Sequence, residues 1–249
     1  GADPTNIVSG GLVAVGARNK SMDSHTGAAG CQPCVWINKT GKRFVNEGVA
    51  ENIGDIGPYW AKQPDGIVYA LLDEADIQRL ISEGSEISIG EFVVYGRPLN
   101  QLRAELDQDV EDGVAWKSDT IEGLAKQMGL DPAVLSDTVS EYNAACDAGD
   151  DPAYFKQARY LRPLKQAPFY AVSMAPCMMS STGGIRVNGN MQVVNKDYEP
   201  IPGLYAAGLD ASGLYGDSYN MEVPGAANGF AYTSGRIAAR HVLSSMKHA

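Results

Sequence analysis

Between residues 201 and 246 the chain passes from an apolar segment bounded by glycine, through a polar loop, into a long helical pattern that opens on small side chains. Ile201-Pro-Gly-Leu-Tyr-Ala-Ala-Gly208 reads as a turn at Pro202-Gly203 followed by a short buried strand, Leu204 to Gly208. The loop from Leu209 to Gly225 is rich in Gly, Ser, Asp and Tyr, and the helix runs from about Ala226 to Met246. Ala226, Ala227, Gly229, Ala231, Ser234 and Gly235 crowd its first turns, so another backbone or a flat ligand can come close. A helix start also carries about half a positive charge and free amide donors. Taken alone, a glycine-rich loop ending at an ordinary helix stays an open reading, because glycine patterns are weak signals.

The preceding residues alternate between strand and helix signals, which sets the class as α+β. Val35 and Ile37 begin a hairpin that turns at Lys39-Thr-Gly41 and returns through Arg43 to Val45. Gly66-Ile-Val-Tyr-Ala-Leu-Leu-Asp73 is an unbroken apolar run, hence a buried strand, and Asp73 is placed to cap a helix through Ile77, Leu80 and Ile81. Asp119-Thr-Ile-Glu122 fits a capping box, and Gly129 stops the helix it opens. Asp131-Pro132 starts another, with Leu135, Val139, Tyr142 and Cys146 as a core stripe. Phe169 to Met174 is a strand, and Gly183 to Asn188 with Met191 to Asn195 predict a second hairpin around Asn188-Gly189.

Composition narrows the partners. A formal net charge of -10 argues against nucleic acid, which needs basic surface. No apolar run approaches the roughly 20 residues that span a bilayer. Cys31-Gln-Pro-Cys34 has a redox or half-zinc spacing, but Cys146 and Cys177 stand apart, so thiols are expected and no metal site. Ile7 to Gly16 is glycine-rich yet lacks the G-x-G-x-x-G fingerprint of a dinucleotide site, as does the rest of the chain. Arg43 and Glu47 read as a local structural pair. His25, His241 and His248 show no acid or nucleophile partner in the sequence, and His241 suits the end of a helix dipole.

Five segments in order carry a resemblance: Asn38-Lys-Thr-Gly-Lys-Arg-Phe-Val-Asn-Glu47, Asp119-Thr-Ile-Glu-Gly-Leu-Ala-Lys126 continuing to Tyr142-Asn143, Ser181-Thr-Gly-Gly-Ile-Arg-Val-Asn188, Ile201 to Gly208, and Asn228-Gly-Phe-Ala-Tyr-Thr-Ser-Gly-Arg-Ile-Ala-Ala239. Together they resemble the fumarate reductase/succinate dehydrogenase flavoprotein family, and the glycine loop also resembles that of ketosteroid dehydrogenases. The resemblance implies a capping, substrate-covering domain over residues 1–165. Residues 166–249 would be the carboxy-terminal segment of a Rossmann-like FAD-binding domain, left incomplete here.

It also implies FAD in the intact protein, cradled by Ala207, Gly208, Asp210, Gly225, Ala226, Ala227 and Asn228. The helix start would face the flavin N1/C2 edge and stabilise negative charge there, while Asp210 bonds a ribityl hydroxyl. Leu209 follows the glycine where the family usually carries Glu.

Three departures from the fumarate reductases bear on the reaction. The proton-delivering arginine falls on Glu51 or its neighbours, with no arginine between Arg43 and Arg79. The paired histidines correspond to Met178-Met-Ser180, and a substrate arginine corresponds to Tyr219 in Gly216-Asp-Ser-Tyr219. A dicarboxylate needs such cations. The expected reaction is therefore reduction or dehydrogenation of a C=C bond beside a carbonyl, not of fumarate. Tyr219, or Tyr215, would handle the proton, as in the ketosteroid relatives. The expected partners are an unsaturated carbonyl compound, an amino-terminal FAD-binding portion outside this chain, and a second copy. Without that portion the chain is expected to bind FAD weakly or not at all and to be inactive. The compartment is left open.

Overall fold

The computed structural model describes residues 13–17, 24–88, 94–178, 183–212, 223 and 225–246. It divides into two compact units, one of residues 14–177 and one of residues 1–13 with 178–249. Tyr215 and Tyr219 lie outside the described residues.

The first unit is built on a sheet of β1 (Val13–Ala17), β2 (Val35–Asn38), β3 (Val68–Leu72), β4 (Ala115–Ser118) and β5 (Phe169–Met178). The order is β1-β5-β3-β2, with β4 also on β5. β2 and β3, β3 and β5, and β4 and β5 all run antiparallel. Because β5 belongs to this sheet, the first unit extends to Cys177, past the residue 165 at which the sequence suggested a boundary.

Side chains alternate across a strand, and the register turns this into two cores. Val35 sits opposite Leu71 and Leu71 opposite Ala171. With Ile37, Tyr69 and Phe169 they pack against Leu124, Ala125, Leu135, Val139 and Tyr142. Those five come from α5 (Ile121–Met128) and α6 (Pro132–Ala148). The alternate residues Trp36, Ala70 and Val172 are in register with one another and face the other way. On that side Trp36 meets Trp60 edge to face at 5.2 Å, and Met174 lies against Gly30. Trp60 belongs to α2 (Ile53–Ala61) and Gly30 to α1 (His25–Gly30), with α3 (Glu74–Ser82) and α4 (Leu102–Glu111) completing the helices of this unit. Burial on both faces is why β3 reads as a continuous apolar run.

The helix punctuation is largely local. The Asp73 carboxylate accepts from the Asp76 amide at 3.0 Å, and its second oxygen accepts from Lys165 and Gln166 at 2.9 Å each. The cap thus also pins the chain entering β5. Gly129 takes a left-handed φ of 72° and Asp131 caps α6 through the Ala133 amide. The capping box is not formed as read. Thr120, not Asp119, is the N-cap of α5, and its hydroxyl accepts from the Gly123 amide at 3.0 Å. Position three after Thr120 is a glycine, which has no side chain to reach back.

The first predicted hairpin is reduced to a single bridge between Ile37 and Arg43. Instead of a returning strand, the Glu47 carboxylate accepts the Trp36 amide at 3.3 Å. Arg43 is drawn toward Glu47 and Asp151.

In the second unit β6 (Ile185–Arg186) pairs parallel with β9 (Ala211–Ser212), and β7 (Gln192–Val194) pairs antiparallel with β8 (Pro200–Tyr205). The second predicted hairpin therefore also fails as a ladder, with Val187 and Val193 forming one bridge. Its turn does form. The Asn188 side chain accepts from the amides of Asn190 and Gln192 at 3.0 and 3.1 Å, and the chain leaves it with Met191 at a φ of 62°. β6 and β7 are thereby sent to different partners. The strand expected over Leu204 to Gly208 begins earlier and ends at Tyr205; it is not buried, Leu204 being 43% exposed. α7 (Ala226–Met246) follows as the sequence indicates, with Ser234 its buried residue.

Candidate functional site

Of the residues the sequence singled out, the second unit brings the strap Ala207–Asp210 and the start of α7 onto one surface. Ala207 is extended, Gly208 takes a φ of 64°, and Gly208 to Asp210 form a short 3₁₀ turn. A Cβ on Gly208 would sit 3.7 Å from the Ala231 Cβ, so the strap lies directly on α7. The Gly208 amide donates to the Ser234 hydroxyl at 2.9 Å. Gly208 therefore has only its carbonyl and its smallness left to offer a ligand.

Ala227 lies four residues before Ala231, about 6 Å along the axis, so strap and helix start are near neighbours. Gly225 turns into the helix with a φ of 79°. A Cβ on Gly225 or Gly229 would meet nothing within 4 Å. Gly225 and Asn228 are exposed, and Ala226 and Ala227 half-buried. A helix start on an open, small-residue surface fits a planar group carrying negative charge; it is not sealed in an apolar core.

Gly184, the second glycine of the Thr182-Gly-Gly-Ile185 run, explains how the strap is threaded. A Cβ there would lie 2.5 Å from the Asp210 carbonyl oxygen and 3.0 Å from the Ala211 carbonyl carbon. Backbone cannot give way as a side chain can. Gly184→Ala is expected to cost about 1–3 kcal/mol by overpacking, read as a lower urea midpoint with helix content retained. A wild-type midpoint would mean the strap is not held against β6.

Two contacts escaped the sequence reading. His241 accepts or donates a 2.8 Å hydrogen bond to the Tyr205 hydroxyl. His25 is buried and its Nδ1 accepts from the Gln101 amide at 3.2 Å, with Arg97 at 3.5 Å from Nε2. Neither has a signal in the sequence, because the partners are 36 and 76 residues away.

In the first unit Arg43 and Glu47 prove to be more than a local pair. Arg43 makes two bonds to Glu47, at 2.8 and 2.7 Å, and one to Asp151 at 2.8 Å. Lys156 adds a contact to Glu47 at 3.4 Å and a bond to the Tyr142 hydroxyl at 3.1 Å. The Arg43 guanidinium lies 4.8 Å from the ring centres of both Tyr142 and Tyr154. A cleft of about 460 Å³ opens beside it. Desolvation raises the half-buried Cys34 thiol far above its ordinary range and so favours the protonated form. Among the described residues no group of three or more His, Cys, Asp or Glu could hold a metal ion. No described helix is long and apolar enough to cross a membrane.

A family model described as an FAD binding domain matches residues 4–223, and the chain belongs to that family. Among its relatives, vinyl phenol reductase of Lactiplantibacillus plantarum is 37% identical over 216 residues, covering 86% of this chain and 43% of that protein. Urocanate reductase of Eggerthella lenta is 31% identical over 182 residues, 71% of this chain and 26% of that protein. Among solved structures, a flavocytochrome c3 fumarate reductase in its open conformation matches with a TM-score of 0.52 at 28% identity, over 96% of this chain and 37% of that one. A 3-ketosteroid Δ1-dehydrogenase from Sterolibacterium denitrificans shares the fold, with a TM-score of 0.70 at 24% identity over 98% of this chain and 45% of that one. The resemblance read from the five segments holds, and the chain spans less than half the length of each of these proteins.

Proposed function

We propose that this chain is the substrate-covering and carboxy-terminal flavin-holding part of an FAD-dependent oxidoreductase that reduces or dehydrogenates a carbon–carbon double bond activated by a carbonyl or a similar conjugated group. The observation that carries this is the open, glycine-flanked start of α7 beside the Gly208 strap, in a chain of the FAD-binding family. Vinyl phenol and urocanate reductases as relatives support the bond type.

Bound FAD supplies hydride transfer at its N5. The chain's own part is electrostatic and positional. The backbone amides of Ala227 and Asn228 and the positive end of the α7 dipole would face negative charge, the Ala226 amide being already spent on the Val223 carbonyl at 3.1 Å. The Asp210 carboxylate would accept from a hydroxyl of the cofactor's sugar chain, and Ala207, Gly208 and Gly225 would leave the surface flat enough for the ring. Tyr219 donates the proton, with Tyr215 the neighbouring phenol.

Fumarate is not the substrate. It needs cations for both carboxylates, and Arg43, the arginine of the Arg43-Phe-Val-Asn-Glu47 segment, is already committed to Glu47 and Asp151. The intact protein, assayed anaerobically with a reduced viologen dye, should carry a flavin spectrum and turn over vinyl phenols or unsaturated carbonyl compounds but not fumarate. Absence of flavin would overturn the cofactor reading; robust fumarate turnover would overturn the substrate reading.

A second reading concerns the chain by itself. It covers 43% of vinyl phenol reductase and has no G-x-G-x-x-G segment for the pyrophosphate. Titrated with FAD alone, it should stay colourless after desalting. Stoichiometric yellow protein would refute this.

A further inference from the structure

We infer that Ser234 and His241 form a two-peg clamp on α7 that sets the register of the Tyr205–Asp210 segment, making Ser234 the positioning residue of the site; this rests on the flavin reading above. The two pegs are seven residues apart, two helical turns, and so share one face of α7. Seven residues of helix rise about 10.5 Å. Their partners, Tyr205 and Gly208, are three residues apart, about 10 Å of extended chain. Both bonds are short: Tyr205 hydroxyl to His241 Nδ1 at 2.8 Å, and Gly208 amide to Ser234 Oγ at 2.9 Å.

The pairing also fixes direction. Tyr205 meets the later residue of α7 and Gly208 the earlier one, so the chain leaving β8 runs down the helix toward its start. It carries Asp210 to the end where the amides of Ala226 to Asn228 lie. A slip of one residue would move Asp210 by about 3.3 Å, more than a hydrogen bond tolerates. Ser234 is the stronger peg. It is fully buried, and its hydroxyl donates to the Phe230 carbonyl at 2.6 Å while accepting from Gly208. The orientation of its lone pair is thereby set by the helix itself.

The test is Ser234→Ala in the flavin-loaded full-length protein, with Ser234→Thr as the variant that keeps the hydroxyl. Ser234→Ala should weaken FAD binding about tenfold and speed exchange of the Gly208 amide by a similar factor. Ser234→Thr should restore most of both. His241→Ala, at a half-buried position, should weaken FAD binding in the same direction by about threefold without emptying a buried site. Wild-type FAD affinity with wild-type Gly208 exchange in Ser234→Ala would overturn the clamp, and so would failure of Ser234→Thr to rescue alongside an unaffected His241→Ala. A wild-type protein that holds no FAD would fell the flavin reading instead. The clamp would then stand or fall on Gly208 exchange, which needs no cofactor.

Discussion

Glu47→Ala is expected to destabilise the first unit by about 3–5 kcal/mol, as removal of one partner from a buried ion cluster does. The cluster is balanced, two cations against two anions: Arg43 and Lys156 with Glu47 and Asp151. Glu47 is fully buried and is the member both cations share. Taking it away leaves Arg43 with Asp151 alone and Lys156 with the carbonyl of Cys34 and the Tyr142 hydroxyl, both neutral. It also orphans the Trp36 amide, which has Glu47 in place of a strand. Urea unfolding followed by circular dichroism checks this; a loss below about 1 kcal/mol, the usual value of an exposed pair, would mean the cluster is not what closes the edge of β2.

The same cluster sets an acid limit. Burial works against the Asp151 carboxylate, but the hydrogen bond and charge of Arg43 override it and hold the carboxyl below its usual range. A lowered carboxyl contributes stability that is complete above its unfolded value, about pH 4, and is lost as pH falls through the lowered one. The unfolding midpoint of the unit should therefore hold on acidification to about pH 4 and fall below it. In Asp151→Asn that acid-dependent part should be smaller.

The elements were legible where their cause is local. The apolar run of β3, the Asp73 cap, the glycine stop at Gly129 and the Asp131-Pro132 start each depend on residues within a few positions, and each formed where read. Both hairpins failed for one reason. A turn signal specifies the bend but not the partner of the returning segment, and distant groups took that place. Glu47 took the edge of β2, and β8 took β7. The candidate site divides in the same way. The small-residue start of α7 is written in the sequence; that Ser234 would receive Gly208, 26 residues earlier, is not. Nor is the partnership of Arg43 with Asp151, 108 residues on, which is why Arg43 and Glu47 read as a local pair. The exposure of Leu204 in a strand that reads as buried has the same origin. An apolar pattern tells which side chains gain from cover, and the cover itself must come from elsewhere.

Tyr219→Phe should lower turnover of the intact enzyme by about 10²–10⁴-fold, the range of a positioned general acid, while leaving the flavin spectrum and FAD affinity unchanged. Reduction of a double bond needs a proton as well as a hydride, and the donor must hold its proton at neutral pH. A tyrosine, ordinarily near pKa 10, does so. Several other candidates among the described residues are already engaged. Of the arginines near the family's proton-delivering segment, Arg43 is locked between two carboxylates and two tyrosine rings, and Arg159 is paired with Glu51. His241 is tied to Tyr205, and desolvation holds the Cys34 thiol well above its ordinary range. The phenylalanine removes one hydroxyl and keeps the ring, so loss of packing cannot mimic the effect. Tyr215→Phe, made in parallel, separates the two phenols: a large loss there with none at Tyr219 would transfer the role four residues earlier. If neither substitution slows turnover, the proton comes from outside this loop.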